Sequence, residues 1–168
     1  MGIEFKKLSD FPKGILYKLI SDAYSFDYKY ENTCKEKWLE DEDFFFNNPR
    51  IGDKYCFITT LNDEAIGFLA WDPRNLPEYA IIGDNCIIPK YKGNGYGKLQ
   101  LQEAVNRIIS NGAKKIYVST NNDLIPAQKM YERIGFVRLD TSKLEPWQVL
   151  QHADVYYERT SDESKITF

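Results

Sequence analysis

Apolar residues sit two apart at Ile3 and Phe5, then change to a three-to-four spacing at Ile15, Leu16, Leu19, Ile20 and Ala23. The first pattern predicts a short strand over Ile3–Leu8 and the second an amphipathic helix. Ser9 or Asp10 is expected to cap that helix, with Pro12 in its first turn. Tyr24 to Tyr30 interleaves aromatic with polar residues and reads as a helix extension or a lid. A second, acidic helix is expected from Cys34 to about Phe46, before Asn47-Asn48-Pro49. Lys54–Leu61 and Ala65–Trp71 form a hairpin pattern across Asn62-Asp63-Glu64. After a loop with two prolines comes a strand from Tyr79 to Ile88, which Gly83-Asp84-Asn85 is expected to bend or bulge.

Leu101, Ala104, Val105 and Ile108 mark a further helix that runs to about Ser110, where Asn111-Gly112 supplies a left-handed stop. A strand over Lys115–Ser119, a helix from about Pro126 to Ile134, and strands at Phe136–Leu139 and Ala153–Glu158 complete the pattern. Pro146 and Trp147 lie between the last two strands and are expected to close over a cleft. Strands before and after the two later helices imply a partly parallel sheet with crossover connections.

With 168 residues the chain has the size of one domain, expected over 1–160, with a polar, poorly ordered tail at 161–168. A formal net charge of −3 disfavours a basic nucleic-acid-binding surface, so no nucleic-acid partner is expected. No apolar stretch approaches the length of a membrane span or a secretory signal. Lys6 stands where myristoylation of Gly2 would need a hydroxyl. Three widely spaced cysteines and one histidine point to reduced thiols, a cytoplasmic location and no metal site.

The chemistry concentrates at Asn85 to Val105. An apolar strand stops at Pro89, Gly93, Gly95 and Gly97 follow, and a helix opens behind them. That order surrounds an anion with main-chain N–H groups at a helix N-terminus, where a Cβ would hold the ligand away. Gly97 is followed by Lys98 and Leu99, so the hydroxyl of a nucleotide-triphosphate P-loop is missing. The glycine spacing also differs from that of a dinucleotide fingerprint. A phosphate-bearing ligand held mainly by backbone remains, beside the plainer reading of a glycine-rich turn before an ordinary helix.

The segment Ile87-Ile88-Pro89-Lys90-Tyr91-Lys92-Gly93-Asn94-Gly95-Tyr96-Gly97 resembles the acyl-CoA-binding motif of the GNAT N-acetyltransferase family, with Lys92 where that family usually has Arg or Gln. Val118, Asn122, Ala127, Tyr131, Gly135 and Phe136 match the family's second stretch, with a turn about two residues longer before Ala127. The resemblance implies an α/β, single-domain acyl-CoA N-acyltransferase-like fold: a mixed, mostly antiparallel twisted sheet with splayed central strands and flanking helices. It implies acetyl-CoA as acyl donor, held by Ile87, Ile88, Lys92, Gly93, Asn94, Gly95, Tyr96, Gly97, Lys98 and Asn122, with Lys129 a further candidate for phosphate.

In such an enzyme an amine attacks the thioester directly, and Tyr131 is the expected general acid to the departing thiolate. The helical spacing of Ala127, Met130, Tyr131 and Ile134 describes a core face equally well. Asp84 is the expected base and Glu78 its alternative. Cys86, in an apolar strand, is not a persuasive nucleophile. A small-molecule or peptide amine is the implied acceptor, and a monomer or homodimer the expected state. The acidic run at 40–43 either attracts a cationic amine or forms a solvated face. Phe44, Phe45 and Phe46 either pack in the core or line the acceptor pocket. A non-catalytic acyl-CoA-binding or sensor module, and an interaction module with a purely structural glycine turn, are the competing readings.

Overall fold

In a computed structural model, which describes residues 2–150 and 152–161, seven strands form a mixed, mostly antiparallel twisted sheet flanked by helices. The strands are β1 (Ile3–Lys7), β2 (Cys56–Leu61), β3 (Glu64–Asp72), β4 (Ala80–Ile87), β5 (Lys115–Thr120), β6 (Val137–Arg138) and β7 (Val155–Thr160), in the order β1-β2-β3-β4-β5-β7-β6. The helices are α1 (Ile15–Ala23), α2 (Tyr28–Asn47), α3 (Pro49–Tyr55), α4 (Tyr96–Ser110) and α5 (Ile125–Arg133). Two compact units emerge. One runs to Trp71 and adds Asp84–Gln100; the other takes Asp72–Gly83 and the chain from Leu101 onward.

In the first unit, β1 pairs antiparallel with β2 and β2 with β3. The hairpin turn places Asn62 and Asp63 at φ 48° and 68°. These two residue types tolerate the left-handed region, and such turns match the twist of the flanking strands. Helix α1 buries the expected stripe of Leu16, Leu19, Ile20 and Ala23. Its start differs from expectation: Gly14, at φ 107°, occupies the cap position. Ser9 instead donates from its N–H and its hydroxyl to Asp53, at 2.8 and 2.7 Å. The amides at the start of α1 turn to the Glu42 carboxylate, 2.6 Å from Leu16 N and 3.4 Å from Tyr17 N. Acceptors at a helix N-terminus satisfy amides that have no partner within the helix.

Helix α2 begins six residues before the predicted Cys34, because Asp27 accepts from Lys29 N at 3.0 Å and caps it. The interleaved segment at 24–30 is thus a turn leading into a helix. Helix α3, with Pro49 in its first turn, takes in Lys54 and Tyr55, which the sequence suggested as the start of a strand. A Cβ on Gly52 would meet the carbonyl of Phe45 at 2.9 Å, so glycine permits the close approach of α3 to α2. Phe45 and Phe46 line a hollow of about 260 Å³ with Phe11 and Pro49, and Phe44 is half exposed at the edge of Phe45. The hollow's lining does not include the glycine loop.

In the second unit, the start of β4 runs parallel to β5, at Ala80↔Ile116 and Ile81↔Tyr117. β5 is antiparallel to β7, and β7 to β6. Leu101, Ala104, Val105 and Ile108 are all fully buried, as the helical period predicted. Gly112 takes φ 93° after α4, in keeping with its expected role as a stop. Trp147 stacks on Tyr79 at 4.5 Å and meets Tyr117 edge-on at 5.6 Å, so it is held by aromatic packing. Of the predicted tail, residues 162–168 lie outside the described residues. Among the described residues, no helix is long and apolar enough to cross a membrane.

Candidate functional site

The glycine loop follows β4 after a single turn at Pro89–Tyr91 and leads directly into α4. Gly93 and Gly95 adopt φ 81° and 84°, and no atom lies within 4 Å of where a Cβ would stand on either. The open space shows that conformation, not crowding within the chain, calls for glycine at both positions. Asn94 turns its amide back to the carbonyls of Tyr91 (3.3 Å) and Lys92 (3.2 Å), which steadies the loop from within. Behind it stands the N-terminus of a 15-residue helix with Tyr96, Gly97 and Lys98 in its first turn. Left-handed residues next to a helix start form a concave array of donors suited to an anion.

The loop rests on a buried bracket. The Gln100 side chain is closed to solvent; its Oε1 accepts from Thr59 Oγ1 at 2.6 Å. Its Nε2 donates to Phe68 O (3.0 Å), Cys86 O (3.1 Å) and Asn85 Oδ1 (2.8 Å). A Cβ on Gly67 would stand 2.2 Å from Cys86 O, so β3 and β4 approach here more closely than a side chain allows. Gly67 and Gln100 were not singled out in the sequence; a lone strand glycine is the available signal. Ile87 is buried, and Ile88 donates its N–H to Ile66 O at 2.8 Å. The main-chain donor of Ile88 is therefore engaged by β3.

Lys92 has partners within the chain. Its ammonium donates to the carbonyl of Ala23 at 2.6 Å and lies 4.9 Å from the centre of the Phe26 ring. Asn122 is likewise engaged: its N–H and side-chain amide donate to Asp154 at 2.7 and 3.1 Å, and Arg138 approaches its Oδ1. The longer turn before α5 is closed by Gln128, which donates to the carbonyls of Asn121 and Asn122. Lys98 and Lys129 are exposed.

Asp84 acquires a neighbourhood that the sequence did not reveal. Burial raises its carboxyl pKa to about 6, reinforced by the charge of Asp41 and a hydrogen bond with it and opposed by Lys37. Lys37 in turn pairs with Asp41 at 2.7 Å, one helical turn along α2. The acidic run is thus divided among separate tasks: Asp41 faces Asp84, Glu42 caps α1, and Asp43 pairs with Lys13 at 2.5 Å. The solvated-face reading fails for Glu42, which is 3% exposed. The Lys37–Asp41 spacing was visible in sequence, but the strand residue it meets was not. Glu78 is exposed and paired with Lys114 at 3.4 Å. Cys86 is buried and its thiol pKa is pushed up by desolvation, which leaves it protonated and unreactive.

Tyr131 sits on the buried face of α5, 5% exposed, with its ring 5.8 Å from that of Phe136 and 5.7 Å from that of Tyr157. The core-face reading of its helical spacing is therefore met: Tyr131 is a packed residue.

The model of the acetyltransferase (GNAT) family matches residues 16–136. A mycothiol acetyltransferase of Corynebacterium aurimucosum is 34% identical over 102 residues, which are 60% of this chain and 32% of that protein. A ribosomal protein bS18-alanine N-acetyltransferase of Haemophilus influenzae is 27% identical over 93 residues, 55% of this chain and 62% of that one. The chain therefore spans less than two thirds of the length of either curated relative. Among solved structures, a GNAT family acetyltransferase from Elizabethkingia anophelis with acetyl-CoA bound superposes with a TM-score of 0.64 at 15% identity, over 95% of this chain and 98% of that one. With the match running from α1 through the glycine loop and α5 to Phe136, just before β6, the chain belongs to the acetyltransferase (GNAT) family.

Proposed function

We propose that the protein is an acetyl-CoA-dependent N-acetyltransferase that acts on a primary amine of a small molecule or peptide. The observation that carries this reading is the pair of left-handed glycines, Gly93 and Gly95, open to solvent ahead of α4. Their main chain and the first turn of α4 bind the pyrophosphate of the donor, with Lys98 at the rim. Ile87 offers main chain to the pantetheine arm.

The reaction forms a C–N bond and breaks a C–S bond. The neutral amine attacks the thioester carbonyl, the amine proton passes to Asp84 directly or through water, and the thiolate takes a proton from Tyr131. A base whose pKa lies close to neutrality suits that task, and the raised pKa of Asp84 supports its assignment. The carboxyl groups of Asp84 and Asp41 favour a cationic amine over an anionic one. The two relatives are named as a mycothiol acetyltransferase and a ribosomal protein bS18-alanine N-acetyltransferase, which supports an acetyl-accepting substrate without fixing which one. We place the enzyme in the cytoplasm, as a monomer or homodimer.

Titration calorimetry with acetyl-CoA, followed by CoA release over a panel of amines, tests the proposal. The panel holds spermidine, glucosamine, a peptide starting with alanine and an N-terminally blocked lysine peptide. Saturable binding that Gly95→Val weakens by about tenfold or more, in a protein with unchanged circular dichroism, supports it. Absence of binding would remove it. A non-catalytic acyl-CoA-binding module is favoured by one observation, the aromatic packing around Tyr131. Binding without CoA release over the whole panel would establish that module instead.

A further inference from the structure

Lys92 opens the phosphate loop, yet its ammonium is committed elsewhere. It donates to the carbonyl of Ala23, the last residue of α1, at 2.6 Å. The last carbonyls of a helix have no amide partner within it, and the C-terminal end carries partial negative charge, so a cation is doubly favoured there. The same ammonium lies 4.9 Å from the centre of the Phe26 ring, within range of the negative face of the aromatic system. Desolvation lowers its pKa, opposed by the charge of Asp22, as befits an ammonium partly withdrawn from water.

Phe26 belongs to a cluster. Its ring is 6.1 Å from Tyr24 and 5.6 Å from Tyr30, and Tyr24 stacks on Trp38 of α2 at 5.9 Å. One turn beyond Trp38, α2 carries Asp41, the neighbour of Asp84. Lys92 thus links the head of the phosphate loop to the α1–α2 turn, and the Phe26–Tyr24–Trp38 stack links that turn to the helix bordering the base.

We propose that Lys92 is a positioning residue for the amine acceptor: by clamping the end of α1 and Phe26 to the phosphate loop, it sets the α1–α2 turn and, through Tyr24 and Trp38, the helix that carries Asp41 beside the base, and it does not hold the donor. This rests on the acetyltransferase reading of the same site. A contact with donor phosphate would draw the ammonium off Ala23, so the two roles compete for one group.

The substitution Lys92→Met keeps the aliphatic stem and removes the donor. Hydrogen exchange at amides 24–30 of the unliganded protein is expected to accelerate by about fivefold or more. The acetyl-CoA Kd from calorimetry stays within about threefold, while KM rises by about tenfold or more for the amine of the panel that the wild type acetylates fastest. Lys92→Arg, which retains both the hydrogen bond and the ring contact, restores both. A tenfold loss of acetyl-CoA affinity with KM and exchange unchanged would make Lys92 a phosphate ligand and overturn the proposal, as would no change in any of the three. A wild type that binds no acetyl-CoA refutes the transferase reading itself. Exchange at 24–30 then judges the clamp alone, and equal rates in the two proteins overturn it.

Discussion

Thr59 donates its hydroxyl to Gln100 across 2.6 Å, and both side chains are closed to solvent. The contact orients the Gln100 amide so that its NH₂ group faces the carbonyls of Phe68 and Cys86. Replacing Gln100 by Leu leaves a hydroxyl and two carbonyls buried without this partner. The unfolding free energy, from urea denaturation, is expected to fall by about 3 kcal/mol.

Gly67→Ala is expected to cost about as much for a different reason. Its Cβ would stand 2.2 Å from the Cys86 carbonyl, which belongs to backbone and cannot swing away. A loss of about 2–3 kcal/mol and weaker acetyl-CoA binding are expected, because β4 must shift just before the phosphate loop. Gly112→Ala, at φ 93° but in open space, should cost only about 1 kcal/mol and leave binding intact.

Asp84 makes its own prediction in pH. As the base it must be ionised, so kcat/KM should rise with pH along a limb centred at about 6, and Asp84→Asn should abolish that limb. Stability should move the other way. A carboxyl whose folded pKa is raised binds its proton more tightly when folded, so its favourable contribution is present at low pH and is lost as pH rises from about 4 through about 6. Thermal unfolding across that window should show Asp84→Asn gaining about 1–2 kcal/mol on the wild type toward neutral pH. An unchanged difference between pH 4 and 8 would show that Asp84 does not titrate in this window.

Tyr131→Phe keeps the ring contacts with Phe136 and Tyr157 and removes only the hydroxyl. Turnover is expected to fall by about 100-fold with acetyl-CoA affinity unchanged. Equal turnover would leave the residue as packing alone.

The features that were legible in sequence are those whose cause is local. Three glycines at spacing two and the stripe from Leu101 to Ile108 carry their signal within a few residues, so the loop and α4 fall where the pattern places them. The start of α2 was missed because its cap, Asp27, lies among alternating aromatic and polar residues that obscure a helical period. Helix α3 was missed because Asn47-Asn48-Pro49 reads as the end of a helix and the seven residues from Pro49 carry little helical period, while Gly52 admits the Phe45 carbonyl. The pairing of Asp41 with Asp84, and the course of Lys92 to Ala23, join residues 43 and 69 apart. Sequence periodicity has no means of recording such contacts.

The Glu42 cap has a consequence for the order in which the chain folds. Helix α1 has nine residues and a glycine at its head, too short to persist by itself in water. Its opening turn is supplied by a carboxylate 26 positions downstream, so it can mature only once the middle of α2 has docked. A peptide covering 12–26 should therefore be unstructured, and in the intact protein the two helices should open together as one cooperative segment.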